Sequence, residues 1–168
     1  MTITQAYLKQ RLHYDPETGV FTWLFYSDHP QKWNKKHAGK KAGALMTIGY
    51  ILIRINKTPY LAHRLAFLYM TGQFPPHEVD HIDHDRQNNR WSNLRLATKT
   101  QNCWNRKAQS NNKTGFKGVS FSSEMGQYIA TISVNGQQKR LGFYADPAEA
   151  HAVYSRAAKE YFGEFARS

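Results

Sequence analysis

The sequence holds one cysteine, Cys103, in 168 residues. That excludes an internal disulfide and any zinc site built on cysteine pairs. Long apolar runs are missing as well, with nothing near the ~20 residues that a membrane span requires. The first residues, Met1-Thr2-Ile3-Thr4-Gln5, lack the basic-then-apolar pattern of a signal peptide. A cytoplasmic protein with no membrane partner is therefore expected. Acidic residues are scarce, 12 against 23 Lys plus Arg, leaving a net charge of +11. Aromatics are plentiful, and 4 Trp, 10 Tyr and 9 Phe exclude a wholly disordered chain. The basic excess points to a polyanionic partner, nucleic acid first. The competing explanation is charge that only keeps the protein soluble.

The charge is not a detachable tail. Residues 1–56, 57–109 and 110–168 carry +5, +4 and +2. The stretch Gln109-Ser110-Asn111-Asn112-Lys113-Thr114-Gly115 is polar and has no apolar residue. It reads as a linker, placed at 110–115, between a domain over 1–109 and a second over 116–168. In the first domain Tyr7, Leu8, Leu12 and Tyr14 mark a short helix, Asp15 to Gly19 a turn, and Val20 to Leu24 a strand. Residues 32–41, with Lys32, Lys35, Lys36, Lys40 and Lys41, read as a basic loop, either solvated surface or a path for phosphates. Tyr50 to Ile55 is β-rich, and Leu61, Leu65, Leu68 and Tyr69 have helical spacing up to Gly72.

The chemically dense segment follows. Val79-Asp80-His81-Ile82-Asp83-His84-Asp85 sets carboxylates and imidazoles between two apolar residues. A polar loop, Arg86 to Asn93, leads to the alternating Leu94-Arg95-Leu96-Ala97, and Thr98 with Gln101 fits a capping box opening a helix. The order is strand, loop, strand, helix. Asp80 and His81 fall on the first strand, Asn93 before the second and Asn102 on the helix. A carboxylate and an amide oxygen are hard ligands suited to Mg²⁺ or Mn²⁺. A nearby histidine can deprotonate water, and metal plus base beside a basic surface suits phosphodiester hydrolysis. Two other readings stay open on spacing alone: ordinary loop hydrogen bonding, and a zinc site from His77, His81, His84 and Cys103, which lacks cysteine pairs.

Ala62-His63-Arg64-Leu65, Val79-Asp80-His81-Ile82-Asp83, Asn88-Asn89-Arg90, Ser92-Asn93-Leu94-Arg95 and Thr98…Gln101-Asn102 closely resemble the HNH homing endonucleases of phages and introns. The likeness covers roughly 50–106, and Tyr14 to Phe21 also looks like the front of such nucleases. It implies a ββα-metal core at about 77–108. His81 would be the general base and Asn93 the residue that orients it by a hydrogen bond. Asp80 and Asn102 would be the ligands of one Mg²⁺ or Mn²⁺ per active site. Asn102 stands where many relatives have His, an H-N-N variant that favours a hard ion. Arg95 and Lys99 become candidate phosphate contacts. One site cuts one strand, so a monomer nicks duplex DNA and a homodimer or two events would break both strands. A phage or mobile-element origin in a bacterial host is implied by the resemblance only.

The last part reads as three strands and a helix. Phe116 to Phe121, Gln127 to Val134 and Gln138 to Tyr144 are the strands, with Asn135-Gly136 as a tight hairpin turn. Asp146 caps a helix that starts at Pro147 and carries a stripe of Ala150, Val153, Tyr154, Ala157, Ala158 and Tyr161, with Gly163 as its stop. Tyr128, Ala130, Ile132, Leu141 and Phe143 are expected beneath it. Ser120, Gln127, Thr131, Ser133, Gln138 and Arg140 are expected on the other face. With Lys113, Lys117, Lys139 and Arg140 against Glu124, residues 110–145 carry +3, as a DNA-facing sheet requires. Lys117-Gly118-Val119, Tyr128 to Ile132, Leu141 to Tyr144 and Ala148-Glu149-Ala150 resemble an AP2/ERF DNA-binding domain over about 114–165. That family reads DNA with Arg and Trp on its sheet. Ser120, Thr131, Ser133, Gln138 and Arg140 occupy those positions here.

The expected architecture is α+β: an N-terminal HNH nuclease domain, then an AP2/ERF-like three-stranded antiparallel sheet plus helix. The expected function is a metal-dependent endonuclease acting on double-stranded DNA. The alternatives are a non-catalytic AP2-type regulator with a silent nuclease domain, and an RNA-binding or RNA-processing protein, whose sheet would lack the exposed aromatic pair of an RNA platform.

Overall fold

The computed structural model describes residues 3–105 and 112–167. The chain is mixed α+β and divides into two compact units, one up to Thr98 and one from Lys99. The expected boundary near Ser110 lies outside the described residues. Of the expected linker, Asn112 and Thr114 are tied into the C-terminal unit: Asn112 Nδ2 donates to the Phe116 carbonyl at 2.7 Å and Thr114 Oγ1 to that of Val119 at 3.1 Å.

The N-terminal unit begins with α1 (Gln5–Arg11), capped by Thr4, whose side chain accepts from the Tyr7 amide. The expected single helix through Tyr14 stops at Arg11. Leu12 and Tyr14 alternate inward on β1 (Leu12–Asp15), antiparallel to β2 (Val20–Trp23). Of residues 32–41, expected as loop, the first six belong to α2 (Gln31–His37). Packing accounts for this. Trp33 stacks on His29 at 3.9 Å and meets Trp23 edge-on at 5.2 Å, while buried Asn34 accepts from the Tyr26 amide and donates to its carbonyl. The lysines lie on the exposed side.

A three-stranded antiparallel sheet follows, β3 (Ala44–Leu45), β4 (Ile51–Ile55) and β5 (Thr58–Leu61), in that order. Helix α3 (Ala62–Thr71) ends at Gly72, which takes the left-handed conformation at φ 84°. Then β6 (Glu78–His81) pairs antiparallel with β7 (Leu94–Ala97). Leu8, Leu12, Tyr14, Phe21, Ile53, Leu65, Leu68, Val79 and Leu94 belong to one buried cluster. Each such side chain contributes about 1.5–3 kcal/mol when fully buried. Val79 and Leu94 therefore anchor the β6–β7 hairpin to the core beside the polar residues it carries.

The C-terminal unit starts with α4 (Lys99–Trp104), whose Trp104 stacks on Phe162 at 4.4 Å. Strands β8 (Val119–Ser122), β9 (Gln127–Val134) and β10 (Gln137–Tyr144) form an antiparallel sheet with β9 central. Asn135 and Gly136 both have positive φ at the β9–β10 turn, as a two-residue hairpin demands. Asp146 caps α5 (Pro147–Phe162) through the Ala148 amide, and Gly163 ends it. Ala130 and Ile132 of β9 and Ala150, Tyr154 and Ala158 of α5 are buried, in two small clusters. Phe143 departs from expectation. The register shifts between Arg140 and Gly142, so Leu141 is an extra residue and the alternation inverts beyond it. Tyr144 packs on the core, whereas Phe143 pairs with Ile129, is 37% exposed and lies beneath the Arg140 guanidinium at 5.1 Å.

Candidate active site

The site residues of the N-terminal unit lie on the β6–β7 hairpin and the loop that closes it. Asp80 faces Arg95 across the ladder and His81 faces Leu94. Asp80 is 6% exposed and His81 4%. Arg95, expected on phosphate, is engaged with Asp80: Nε and Nη2 donate to Oδ2 at 3.0 and 2.9 Å. The pairing has a simple cause, since a carboxylate this buried needs a counter-charge.

The loop after His81 is held by its own side chains. Asn93 Oδ1 accepts from the Asp83 amide at 3.0 Å, and its Nδ2 donates to Asp83 Oδ1 at 2.9 Å and to the Asn88 carbonyl at 2.8 Å. Both amide protons are thus used on the loop. Asn93 orders the turn that carries the histidine, where a direct bond to the imidazole was expected. The ring instead meets Asn89: His81 Nε2 lies 3.1 Å from Asn89 Oδ1, and Asn89 is 2% exposed. Burial pushes the Asp83 carboxyl up, but the Asn88 and Asn93 amides and the Asp85 amide hold it below the ordinary value overall.

Burial pulls His81 below the ordinary histidine value, against the opposing pull of Asn89 and of the Asp83, Asp80 and Asp85 carboxylates. The ring is therefore neutral, and able to accept a proton, at neutral pH. His63, at the start of α3, lies edge-on to it at 5.1 Å, with Tyr50 at 5.0 Å from His63. His63 is 5% exposed, its Nδ1 is buried with no hydrogen-bond partner among the described residues, and burial, with His81 and Arg64 adding to it, lowers its pKa to about 3. Spacing gave no means of separating Asn89 from its neighbour Asn88. His63 stood in the family-like string 62–65 without a role.

Donor chemistry decides whether these residues suit a divalent ion. Asp80 offers a carboxylate, and Asn102, half-buried on α4 of the C-terminal unit, an amide oxygen. Both are hard donors. Among the described residues no three His, Cys, Asp or Glu side chains gather as a metal-holding group. An ion such as Mg²⁺ keeps several waters, takes phosphate oxygens from its substrate and needs only one or two protein oxygens. Asp80 supplies one donor of that kind in the N-terminal unit, and Asn102 is a donor of the same kind in the C-terminal unit.

The C-terminal candidates divide. Ser120, Ser133, Gln138 and Arg140 are exposed on the sheet face away from α5, with Thr131 half-buried among them. Lys99 and Lys113 are also exposed. Lys139 pairs with Ile132 on the α5 side, its ammonium 4.9 Å above the Tyr161 ring. Lys117 points inward: Nζ donates to the Trp104 carbonyl at 2.5 Å, and burial, with Arg167 nearby, lowers its pKa to about 8. Neither lysine shares the outward face with Arg140. The half-turn of the strand decides this for Lys139 and the packing of Trp104 decides it for Lys117.

Comparison with known proteins gives three kinds of likeness. A family model described as HNH endonuclease matches residues 60–103. The chain is 40% identical over 106 residues to a protein named "Uncharacterized HNH endonuclease L560" from Acanthamoeba polyphaga mimivirus, covering 62% of this chain and 54% of that one. It thus spans about half the length of that relative. It is 37% identical over 89 residues to "Protein 3.8" of Escherichia phage T7, covering 53% of this chain and 73% of the phage protein. Among solved structures, "DNA binding and cleavage by the HNH homing endonuclease I-HmuI" aligns with 91% of this chain and 78% of its own, at 21% identity and a TM-score of 0.43.

Proposed function

The chain belongs to the HNH endonuclease family, and from that premise we propose that it hydrolyses phosphodiester bonds in double-stranded DNA with a divalent metal ion. The observation that carries this reading is His81, a buried neutral imidazole at a strand end, adjacent in sequence to the Asp80 carboxylate and oriented by an amide oxygen. His81 takes the proton of a water that attacks phosphorus in line with the departing 3′ oxygen, leaving 5′-phosphate and 3′-hydroxyl ends. Asp80 and Asn102 would hold Mg²⁺ or Mn²⁺, which supplies stabilisation of the negative charge that grows on the phosphate and the leaving oxygen. Asn93 keeps the loop, and with it the ring, in one place.

In the same reading the C-terminal unit is an AP2-like module that lays its outer face on the duplex. Ser120, Thr131, Ser133, Gln138 and Arg140 touch bases or phosphates, and Lys99 and Lys113 add charge. A Ser-, Thr- and Gln-lined face gives modest, tolerant readout. One site nicks one strand, and a break in both strands takes a homodimer or two events. The origin on a phage or other mobile element belongs to this reading too.

One observation favours a second reading, a DNA-binding regulator with a silent nuclease domain: the Asp80 carboxylate is already ion-paired with Arg95. Nicking of supercoiled plasmid separates the two. The nuclease nicks with Mg²⁺ or Mn²⁺, stops in chelator and loses cleavage in His81→Ala while still shifting DNA in a gel. A wild-type chain that binds duplex DNA and never nicks it under either ion establishes the regulator.

A further inference from the structure

Asn89 lies in a loop rich in similar residues, yet its surroundings are unlike those of its neighbours. It is 2% exposed, and every polar group it has is engaged. Its side-chain Oδ1 faces His81 Nε2 at 3.1 Å, its Nδ2 donates to the Gln87 carbonyl at 3.2 Å, and its amide donates to the same carbonyl at 3.0 Å. The bond to Gln87 fixes which end of the amide faces the imidazole. An amide oxygen only accepts, so Nε2 carries the proton and the lone pair of the neutral ring is at Nδ1.

The remaining group, the Asn89 carbonyl, is held by the first hairpin of the chain. Tyr14, 1% exposed, donates its hydroxyl to that carbonyl at 2.7 Å. Beyond Tyr14, the β1–β2 turn is locked by the Asp15 carboxylate, which accepts from the Glu17 amide and the Thr18 hydroxyl. The turn then lies directly on the loop. Gly19, at φ +71°, approaches so closely that a Cβ there would sit 2.3 Å from the Asn89 carbonyl carbon, and the Trp91 amide donates to Pro16 at 2.9 Å. The backbone of residues 89–91 is thus gripped from Tyr14, Pro16 and Gly19 at once.

We propose that Asn89 is a positioning residue that sets His81 as its Nε2–H tautomer, and that the β1–β2 turn, through Tyr14 and Gly19, is the clamp that holds Asn89 to the task. The catalytic part of this inference rests on His81 acting as the base. The tautomer does not depend on any activity. A hairpin 60 or more residues upstream in sequence thereby fixes which nitrogen of the base receives the proton, an arrangement that spacing within the HNH string does not disclose.

The test reads the imidazole directly in the full chain. Histidine-selective ¹⁵N labelling of the metal-free protein gives the proton position of each ring, and His81→Ala identifies the His81 signals. The wild type is expected to show Nε2 protonated and Nδ1 bare. Asn89→Leu is expected to give a mixture of tautomers, and Asn89→Asp, which still presents an accepting oxygen, to keep the wild-type pattern. Tyr14→Phe, which keeps the ring in the core, is expected to broaden it part of the way. In cleavage, Asn89→Leu lowers kcat about 10–100-fold, the size of effect that follows when a metal-binding histidine loses its orienting partner. KM stays near the wild-type value, and Asn89→Asp recovers most of the rate. A wild-type ring protonated on Nδ1 overturns the proposal, as does an Asn89→Leu ring that keeps the wild-type pattern. If Asn89→Leu does not fold, the wild-type spectrum and Tyr14→Phe decide. A wild type with the expected tautomer that never cuts DNA supports the positioning role and overturns the nuclease reading, so the two failures are distinguishable.

Discussion

The two units treat their polar side chains in opposite ways. In the N-terminal unit Asp80, His81, Asn89 and Asn93 are between 2% and 8% exposed, and each has its geometry set by neighbouring hydrogen bonds or an ion pair. On the outer sheet face of the C-terminal unit Ser120, Ser133, Gln138 and Arg140 are exposed. A group that moves a proton must be held to a fraction of an ångström and kept from bulk water, so it is buried and bonded. Under the proposed function the exposed face meets a long, variable polymer, and a group with that task gains from being able to adjust. The difference predicts that lesions in the first set change the rate of chemistry, and lesions in the second change affinity.

The largest expected effect sharpens that contrast at its strongest point. His81→Ala lowers the cleavage rate by about 10²–10⁴-fold, the range for loss of a general base, with the dissociation constant for duplex DNA unchanged. Replacing Ser133, Gln138 and Arg140 together by Ala does the reverse, raising KM with kcat intact. Single-turnover cleavage at saturating protein, alongside gel-shift titration, measures both. A triple variant slow at saturation breaks the comparison.

Next in size is Gly118→Ala, which attacks the C-terminal unit through its core. Gly118 has φ +75°, and a Cβ there would lie 2.0 Å from Tyr154 Cδ2. Left-handed strain and overpacking of a ring against the sheet cost about 2–5 kcal/mol together. Thermal unfolding followed by tryptophan and tyrosine signals should show a lowered transition for the C-terminal unit. A shift below one kelvin would mean that Tyr154 repacks freely. In the N-terminal unit the matched probe is pH. The folded state holds His63 at about 3, far below the unfolded 6.5. Between those values the unfolded chain takes up a proton that the folded chain refuses. Stability is therefore full above about 6.5 and falls as the pH drops, by up to about 1.4 kcal/mol per unit. His63→Phe flattens that slope, and urea melts at pH 7.5 and 5 would show it. An unaltered slope removes His63 as the cause.

The sequence disclosed most of the element order, because its signals are local. Asn135-Gly136, the Asp146-Pro147 start and the stripe from Ala150 to Tyr161 each act within a few residues, and each matches an element. Helix α2 was hidden because tertiary aromatic packing around Trp33 forms it, not an apolar stripe. Phe143 was misplaced because a bulge is one extra residue that strict alternation passes over. At the site, the motif string named Asp80, His81, Asn93 and Asn102, but not which of them touch. Arg95 on Asp80 and Asn89 on His81 depend on ladder register and on how the loop folds back. Neither is written in the spacing.

The smallest expected effects fall within the C-terminal unit, where they test whether the outward face alone meets DNA. Each phosphate neutralised adds about 0.9 to the slope of log affinity against log salt. Arg140 is exposed on the outer face over Phe143, so Arg140→Ala should lower that slope by about one phosphate and weaken all sequences alike. Lys139 has its ammonium over Tyr161 on the α5 side, and Lys117 donates inward to Trp104. Lys139→Ala should therefore leave the slope nearly unaltered. Lys117→Ala should alter stability without altering the slope, since its ammonium is engaged by the Trp104 carbonyl. Fluorescence anisotropy on one duplex over a range of salt measures all three. Equal slopes lost from all three variants would mean that charge density, and not the face it occupies, sets the salt dependence.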